Sequence, residues 1–362
     1  MFQTSSGPLV QSETVAIDVA NAEITARDLR NYNWVVTLDE HEAKTLTEAA
    51  QAVMTRSYID DPEAWVTEAQ LQAAHLPEGL RRRLITFRRF SNERGALLIK
   101  NLPIGEIPPT PVDADNNIAP TLLATATTSV IVAALGDQYG FKPELGGKLF
   151  QSILPIRTAE RTQRSVGSKV YLEDHIEMCF TEFRADFVVL TCVRADHEGV
   201  AGTALASIND ILPLLDKRTI EILRQPRFRT TVDESFLVGW GEEDKTIWVD
   251  PIRVLEGAAS RPRMRVDFAE TVGKDDEAQV ALDALKEAVQ EARQIVLLKP
   301  GEMLITDNVT AMHGRTPFTP RYDNQDRWLL RTFVTKDLSR SLEVRSNDGR
   351  VVDPDYQVWL NG

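Results

Sequence analysis

The segment DHIEM, residues 174–178, carries two side chains that can bind a metal, His175 and Glu177. In an extended backbone, side chains two residues apart point the same way, so both can reach one ion while Ile176 packs on the other side. A third candidate ligand, His313, lies in DNVTAMHGRTPF, directly after the predicted strand GEMLITDN. Two imidazoles and one carboxylate on one face of an octahedral ion leave three positions open, as in non-haem Fe(II) oxygenases. The three residues are therefore candidate metal ligands.

Two arginines follow His313 at defined distances: Arg327 comes fourteen residues later, and Arg331 four residues after that. They lie in DRWLLRTFV, whose composition predicts a strand, so both side chains face the same side. A guanidinium in a protein core is costly unless it is paired, and its planar fork fits a carboxylate. Two such forks beside a metal triad predict a 2-oxo acid cosubstrate and a substrate with a carboxylate. Buried structural ion pairs are the other interpretation of these arginines.

The charge of the chain argues against polyanionic partners. Among 362 residues, 41 Lys and Arg stand against 54 Asp and Glu, a formal net charge of −13. Such a surface repels phosphate, so neither nucleic acid nor an anionic membrane is an expected partner. No secretory signal or membrane-spanning run is recognisable, and the two cysteines, Cys179 and Cys192, fit a reducing compartment. We predict a cytoplasmic protein; no dimerisation signal is evident, and the oligomeric state stays open.

The hydrophobic pattern predicts helices first and strands afterwards. Helices are predicted over residues 37–57 and 77–92, followed by an apolar helix that begins at 121 and ends near Gly136. Short strands dominate beyond that point, interrupted by helical insertions at about 209–225 and 275–296. This order predicts a mainly β fold with helical additions, of the α+β class, built on a β-barrel or a double-sheet jelly roll.

We expect one large domain. Residues 1–35 are predicted to be a variable N-terminal leader, and residues 36–362 a single domain with a β core at about 95–340.

Two stretches carry a resemblance to a known family: DHIEMCFTEFRADFVVLTCVRADHEGVAGTALASINDILPLLDKRT and DNVTAMHGRTPFTPRYDNQDRWLLRTF. From about residue 78 to 340 the chain resembles the clavaminate synthase-like branch of Fe(II)/2-oxoglutarate-dependent oxygenases. The resemblance implies a double-stranded β-helix, or jelly roll, with a mobile lid at about 228–245. It also implies the use of Fe(II), 2-oxoglutarate and O2. It makes His175, Glu177 and His313 the iron ligands. Arg327, assisted by Thr203, is then expected to bind the distal carboxylate of 2-oxoglutarate.

The same resemblance assigns residues to the substrate. Arg331 is expected to bind the α-carboxylate, Glu144 the α-amino group, and Ser165 the polar main-chain end of an amino acid. Asp267 and Asp233 match positions that meet a side-chain guanidinium or ammonium in relatives. An acid aimed into a pocket attracts a cation and disfavours neutral side chains, which leave the carboxylate unpaired.

These assignments predict hydroxylation of an unactivated C3 or C4 carbon of a free, basic L-amino acid. We expect the reaction to belong to a biosynthetic pathway, such as that of an antibiotic. Close arginine hydroxylases carry a second Asp soon after the first, whereas Phe268, Ala269 and Glu270 follow Asp267 here. Arginine is therefore not singled out, and lysine or a derivative remains open. The carboxylate of Glu177 disfavours halogenation, because iron halogenases of this type lack it. Desaturation and ring closure stay open.

Three other functions were weighed against this prediction. A zinc hydrolase can use two His and one Glu, but it leaves Arg327 and Arg331 without a role. A non-catalytic jelly-roll binding protein has no need of an intact triad. Within the oxygenases, the alternative substrate is a larger amino-acid-derived intermediate, such as a β-lactam precursor or a carrier-tethered amino acid. Arg331 favours a free carboxylate, which a thioester lacks.

Overall fold

The computed structural model describes residues 33–113, 122–242, 244–345 and 349–353, so most of the predicted leader lies outside the described residues. The α-helices in this part of the chain are α1 (Glu40–Val53), α2 (Pro62–Gln72), α3 (Glu78–Phe90), α4 (Leu123–Val132), α5 (Ile208–Ile211), α6 (Lys217–Leu223), α7 (Glu234–Trp240) and α8 (Asp276–Ala292). The strands are β1 (Val35–Thr37), β2 (Ala96–Lys100), β3 (Asp137–Phe141), β4 (Gln151–Ile153), β5 (Leu172–His175), β6 (Phe187–Arg194), β7 (Thr203–Ser207), β8 (Phe228–Thr231), β9 (Trp248–Ile252), β10 (Leu255–Glu256), β11 (Arg263–Met264), β12 (Thr271–Gly273), β13 (Gln294–Val296), β14 (Met303–Asp307), β15 (Ala311–Arg315), β16 (Trp328–Thr335) and β17 (Val351–Val352).

Two sheets form the core. The larger has eight strands in the order β1-β2-β14-β6-β16-β3-β17, with β4 also paired to β16. The smaller has the order β13-β7-β15-β5. Apolar side chains from both sheets pack in one cluster, in which Leu98, Leu304 and Leu329 of the larger sheet meet Leu205 and Ala311 of the smaller. The core is therefore an open double sheet, and the predicted jelly roll is confirmed. The strands of the described residues do not form the closed barrel that the strand pattern also allowed.

The outer face of the larger sheet is covered by the N-terminal helices. Trp328 and Leu330 of β16 pack against these helices, whereas Leu329 points between the sheets. This alternation is the one predicted for DRWLLRTFV. The first helix begins at a capping box, because the Asp39 side chain accepts from the backbone of Glu42 and the Glu42 carboxylate accepts from Asp39 N in return.

The smaller sheet is buttressed by the two helical insertions. The 209–225 insertion contains α6 and most of α5, and the 275–296 insertion is α8 followed by β13. One stripe of α8, made of alanines, leucines and a valine, is buried in a cluster that includes Ile176 and Met312. Burial of this apolar stripe holds the outer side of the sheet that carries the candidate metal ligands.

Some elements differ from the sequence-based prediction. The apolar helix ends at Val132 rather than near Gly136, and the strand β3, which follows it, was not foreseen. Gly136 fits tightly, because a Cβ there would lie 2.1 Å from the carbonyl oxygen of Thr335. The expected lid, at about 228–245, contains β8 and α7, and Phe236 of α7 is fully buried. No helix in the described ranges combines the length and the apolar character needed to span a bilayer.

Candidate active site

Strand pairing brings the three candidate ligands together. His313 of β15 lies directly opposite His175 at the end of β5, with ring centroids 4.4 Å apart. Glu177 Oε2 lies 3.3 Å from His313 Nε2 and 3.7 Å from His175 Nε2. One ligand atom from each residue falls within 4.8 Å of the others, and Glu177 Oε2 is buried without a hydrogen-bond partner in the described structure. The donor set therefore fits a small divalent cation.

Neighbouring groups fix the orientation of these ligands. His175 Nδ1 lies 2.8 Å from the carbonyl oxygen of Glu173, which leaves Nε2 to point at the candidate metal position. The backbone of Glu177 is held on both sides by Asn308: the Asn308 Oδ1 accepts from Glu177 N at 2.8 Å, and Nδ2 donates to Glu177 O at 3.0 Å. Met178 then adopts a left-handed φ of 55°, so the chain turns sharply directly after Glu177.

Charge in the pocket also favours a cation. Burial raises the pKa of Glu177, but Arg331 and the two imidazoles outweigh it and hold the pKa well below its usual range. Burial lowers the pKa of His175, yet the carboxylates of Glu177 and Asp267 raise it on balance to about 9. Without a metal the triad therefore holds a proton, which a divalent cation displaces on binding.

Arg331 lies at the centre of a buried polar network. Its Nη1 donates to Glu177 Oε1 at 2.9 Å, its Nη2 donates to Glu144 Oε1, and its Nε donates to Gln151 Oε1 at 2.7 Å. Three of its five N–H groups are thus used, and each Nη keeps one. The second oxygen of Glu144, Oε2, is buried without a hydrogen-bond partner in the described residues. This end of the site is therefore prepared for a further anion and a further cation at adjacent positions.

Arg327 differs sharply from Arg331. It is 5% exposed, and across the described ranges it forms neither a hydrogen bond nor a salt bridge. Its nearest aromatic contact is the ring of Phe318, 5.9 Å from its Cζ. Burial lowers the pKa of this arginine, as expected for a cation without a partner. A buried, unpaired guanidinium is the feature that an incoming carboxylate would satisfy.

The remaining predicted residues lie around one cavity of about 700 Å³. Its lining includes His175, Glu177 and Arg331 together with Glu144, Ser165, Asp233 and Asp267. Thr203 is buried on β7, and its Cα is paired with that of Arg315. The structure thus brings eight of the ten predicted site residues to this cavity or into direct register with one of its ligands. Thr203 lies two residues from the position opposite His313, and Arg327 lies directly before β16, the strand that carries Arg331.

One end of the cavity is acidic. Asp233, Asp267 and Glu270 all line it, and none of the three forms a salt bridge with a described residue. Burial, followed by the charge of Asp267, raises the pKa of Asp233 well above its usual range. Burial and the neighbouring carboxylates Asp267 and Glu234 raise the pKa of Glu270 to about 7. Carboxylates this crowded and this poorly paired favour a cationic ligand.

Three residues of the site were not singled out from the sequence. Asn308 lies in the DNVTAMHG stretch and was not selected, because an asparagine after a strand usually indicates a turn. Arg315 lies two residues after His313 and is 4% exposed. Glu270 was noted only as a departure from relatives. Alternation along β15 was the available signal for Arg315, since it must share the face of His313.

Comparison with known proteins gives the family. Residues 86–333 match the model of the taurine catabolism dioxygenase TauD, TfdA family. The L-asparagine oxygenase of Streptomyces coelicolor is 39% identical over 320 residues, 88% of this chain and 94% of the relative. The L-lysine 3-hydroxylase of Catenulispora acidiphila is 36% identical over 88% of both chains, and clavaminate synthase 2 of Streptomyces clavuligerus is 33% identical over 81% of this chain and 90% of its own.

Solved structures of iron oxygenases resemble this chain in fold. Asparagine oxygenase in complex with Fe(II), hydroxyasparagine and succinate superposes with a TM-score of 0.84 and 38% identity, over 89% of this chain and all of that one. The non-haem iron oxygenase OrfP with Fe and α-ketoglutaric acid superposes with a TM-score of 0.77 and 30% identity, over 88% of this chain and 99% of that one. The chain belongs to the TauD/TfdA dioxygenase family, and it is an oxygenase that uses Fe(II), 2-oxoglutarate and O2.

Proposed function

We propose that this oxygenase hydroxylates C3 or C4 of a free L-amino acid whose side chain carries a positive charge, such as lysine, arginine or a derivative. The observation that carries the proposal is the polarity of the cavity. An arginine and a glutamate with free hydrogen-bonding capacity line it, and so do three carboxylates that form no salt bridge with a described residue. An amino acid with a cationic side chain matches both groups of side chains.

His175, Glu177 and His313 are the proposed iron ligands, with Glu177 binding through Oε2. Arg327 is the proposed partner of the distal carboxylate of 2-oxoglutarate, with the Thr203 hydroxyl beside it. The support is chemical: Glu177 Oε2 has no other described partner, and Arg327 has no described anion. Oxidative decarboxylation of 2-oxoglutarate to succinate and CO2 is the cofactor chemistry that makes an unactivated C–H reactive.

The main-chain end of the substrate is proposed to bind at Arg331 and Glu144. The two N–H groups that Arg331 keeps are suited to an α-carboxylate, and Glu144 Oε2 is suited to an α-ammonium. Ser165, which lines the cavity beside them, is the proposed third contact to this end. A substrate fixed at both charged groups presents the same carbons to the metal in every turnover, so positioning decides which C–H reacts.

The side chain of the substrate is proposed to bind between Asp233 and Asp267, with Glu270 nearby. The relatives differ in substrate: asparagine, lysine, and ornithine or arginine appear in the names of enzymes 39%, 36% and 31% identical to this chain. Asparagine has a neutral side chain, which would leave this crowded set of carboxylates without a counter-charge. The acidic end therefore favours the basic substrates over asparagine. Other relatives are a clavaminate synthase and an enduracididine β-hydroxylase, which supports a role in antibiotic biosynthesis.

The proposal is tested by aerobic incubation of the enzyme with Fe(II), ascorbate, 2-oxoglutarate and one amino acid at a time. The amino acids are lysine, arginine, ornithine and asparagine, and mass spectrometry detects the products. Gain of one oxygen atom on a basic amino acid supports it, and fragmentation gives the carbon attacked. Preference for asparagine would refute the role of the acidic end. Succinate formation without oxidation of any free amino acid would point to a larger or tethered substrate.

A further inference from the structure

Arg315 lies on the inner face of the smaller sheet. It is two residues after His313 on β15, so both side chains leave the same face of the strand. Its pairing with β7 is regular: His313 lies opposite Leu205, and Arg315 lies opposite Thr203. Directly opposed residues on antiparallel strands have neighbouring side chains on one face. Arg315 and Thr203 are therefore neighbours on the face that carries a proposed metal ligand.

Arg315 is also close to Arg327. The Cζ of Arg315 lies 5.6 Å from the centroid of the Phe318 ring, and the Cζ of Arg327 lies 5.9 Å from the same centroid. Two buried guanidinium groups thus flank one aromatic ring, and neither forms a salt bridge with a described carboxylate. Such an arrangement of like charges is unfavourable until an anion joins them.

The hydrogen bonds of Arg315 are incomplete. Its Nη1 donates to the carbonyl oxygens of Ser165 and Gly167, and its Nη2 donates to that of Val170 at 3.0 Å. Its Nε is buried and has no partner in the described residues. One edge of the guanidinium therefore holds the 165–170 loop, while the Nε–H still lacks an acceptor.

The 165–170 loop is part of the substrate cavity. Ser165 and Val166 line it, and Ser168 O accepts from Phe318 N at 2.9 Å. The loop is thus attached at two points to the segment that joins His313 to Arg327. A ligand that orders Arg315 will also order this loop.

We infer that Arg315 is a second guanidinium for the distal carboxylate of 2-oxoglutarate, binding through Nε, and that it links the cosubstrate to the loop that contacts the amino-acid substrate. The inference rests on the proposed placement of that carboxylate at Arg327 and Thr203. Through Nε, Arg315 binds the cosubstrate, and through its two Nη atoms it positions the 165–170 loop beside the amino-acid substrate.

Binding measurements under anaerobic conditions test this role. The Fe(II)-loaded protein is titrated with 2-oxoglutarate and with 2-oxopentanoate, which has the same chain but lacks the distal carboxylate. Removing a charge-assisted hydrogen bond typically lowers affinity roughly tenfold or more. Arg315→Met is expected to lower the affinity for 2-oxoglutarate at least that much and to leave the affinity for 2-oxopentanoate nearly unchanged. Arg184→Met, which removes a buried arginine paired with Glu256 and outside the cavity lining, is the matched control.

Equal losses for the two acids in Arg315→Met, or unchanged 2-oxoglutarate affinity, would overturn the inference. If wild-type protein itself did not prefer 2-oxoglutarate over 2-oxopentanoate, the placement of the distal carboxylate would be wrong, which is a separate failure. Should Arg315→Met not fold, hydrogen exchange on the wild-type protein decides. The amides of residues 165–170 are expected to be protected more by 2-oxoglutarate than by 2-oxopentanoate, and equal protection would overturn the link to the loop.

Discussion

Arg331 Nη1 donates to Glu177 Oε1 at 2.9 Å, so the other oxygen of this carboxylate, Oε2, is the one that faces the two imidazoles. A single hydrogen bond therefore connects the proposed substrate-binding arginine to a proposed iron ligand. Because Arg331 also binds Glu144, the same guanidinium lies between the metal and the main-chain end of the substrate. The arrangement holds Glu177 in a one-oxygen binding geometry before any ligand arrives.

Replacing Arg331 by lysine is expected to lower kcat/KM for the amino-acid substrate roughly 10- to 100-fold, because an ammonium cannot replace the planar fork. The matched control changes the substrate. An L-amino-acid amide lacks the α-carboxylate, so its already low kcat/KM should be much less sensitive to Arg331→Lys. Similar losses for the acid and the amide would show that Arg331 acts through Glu177 rather than through the substrate.

Asn308→Ala is expected to weaken metal binding about 10- to 100-fold, because it releases the backbone of Glu177 while leaving all three ligands in place. Competition with a chelator for Mn²⁺ or Fe²⁺ measures the effect. Asn92 is the matched control, since it is also buried and also bonds the backbone of one residue, Ala96, on both sides. Asn92→Ala should reduce stability but not metal affinity; equal metal affinities for the two variants would contradict the role given to Asn308.

Arg327→Met is expected to raise the melting temperature of the cosubstrate-free protein, because it removes a buried charge without a described partner. An unsatisfied buried group costs about 1–3 kcal/mol, and more when it is charged. The same variant should lose the thermal stabilisation that 2-oxoglutarate gives to wild-type protein. A lower melting temperature in the absence of 2-oxoglutarate would mean that Arg327 already has a stabilising partner.

The pKa of Glu270, about 7, predicts a pH-dependent KM. Glu270 gains its charge as the pH rises from about 6 to about 8, so KM for a basic amino acid should fall over this range. The raised pKa also means that the folded state holds this proton more tightly than the unfolded state does. Stability of the substrate-free protein should therefore decrease as the pH rises from about 4.5 to about 7, and should level off above that. Glu270→Gln should flatten both trends. If KM of the variant changed with pH in the same way as KM of the wild type, Glu270 would have no role in substrate binding.

The metal triad and the two arginines were accessible from the sequence because their residue types and short spacings indicate chemistry by themselves. Alternation along DRWLLRTFV already placed Arg327 and Arg331 on one face, and the i, i+2 spacing already paired His175 with Glu177. The family resemblance supplied their roles and the jelly roll.

Other features depend on contacts between distant segments. The bonds from Asn308 to Glu177 and from Arg315 to the 165–170 loop join positions that are about 130–150 residues apart, a relation that no local pattern encodes. The strand β3 was missed for a similar reason, since its pairing with β16 overrides the weak strand preference of DQYGF. The unpaired state of Arg327 also required a structure, because sequence cannot tell a buried ion pair from a buried single charge.

The most direct test of the central claim compares kcat/KM for the preferred basic amino acid with that for an analogue that lacks the side-chain cation, such as lysine with norleucine. The account predicts that wild-type enzyme favours the charged substrate by roughly 100-fold or more, since a neutral chain leaves the acids Asp233 and Asp267 unpaired. Asp267→Asn should remove most of that preference. Norleucine turned over as efficiently as lysine by the wild-type enzyme would contradict the claim that the acidic end of the cavity selects the substrate.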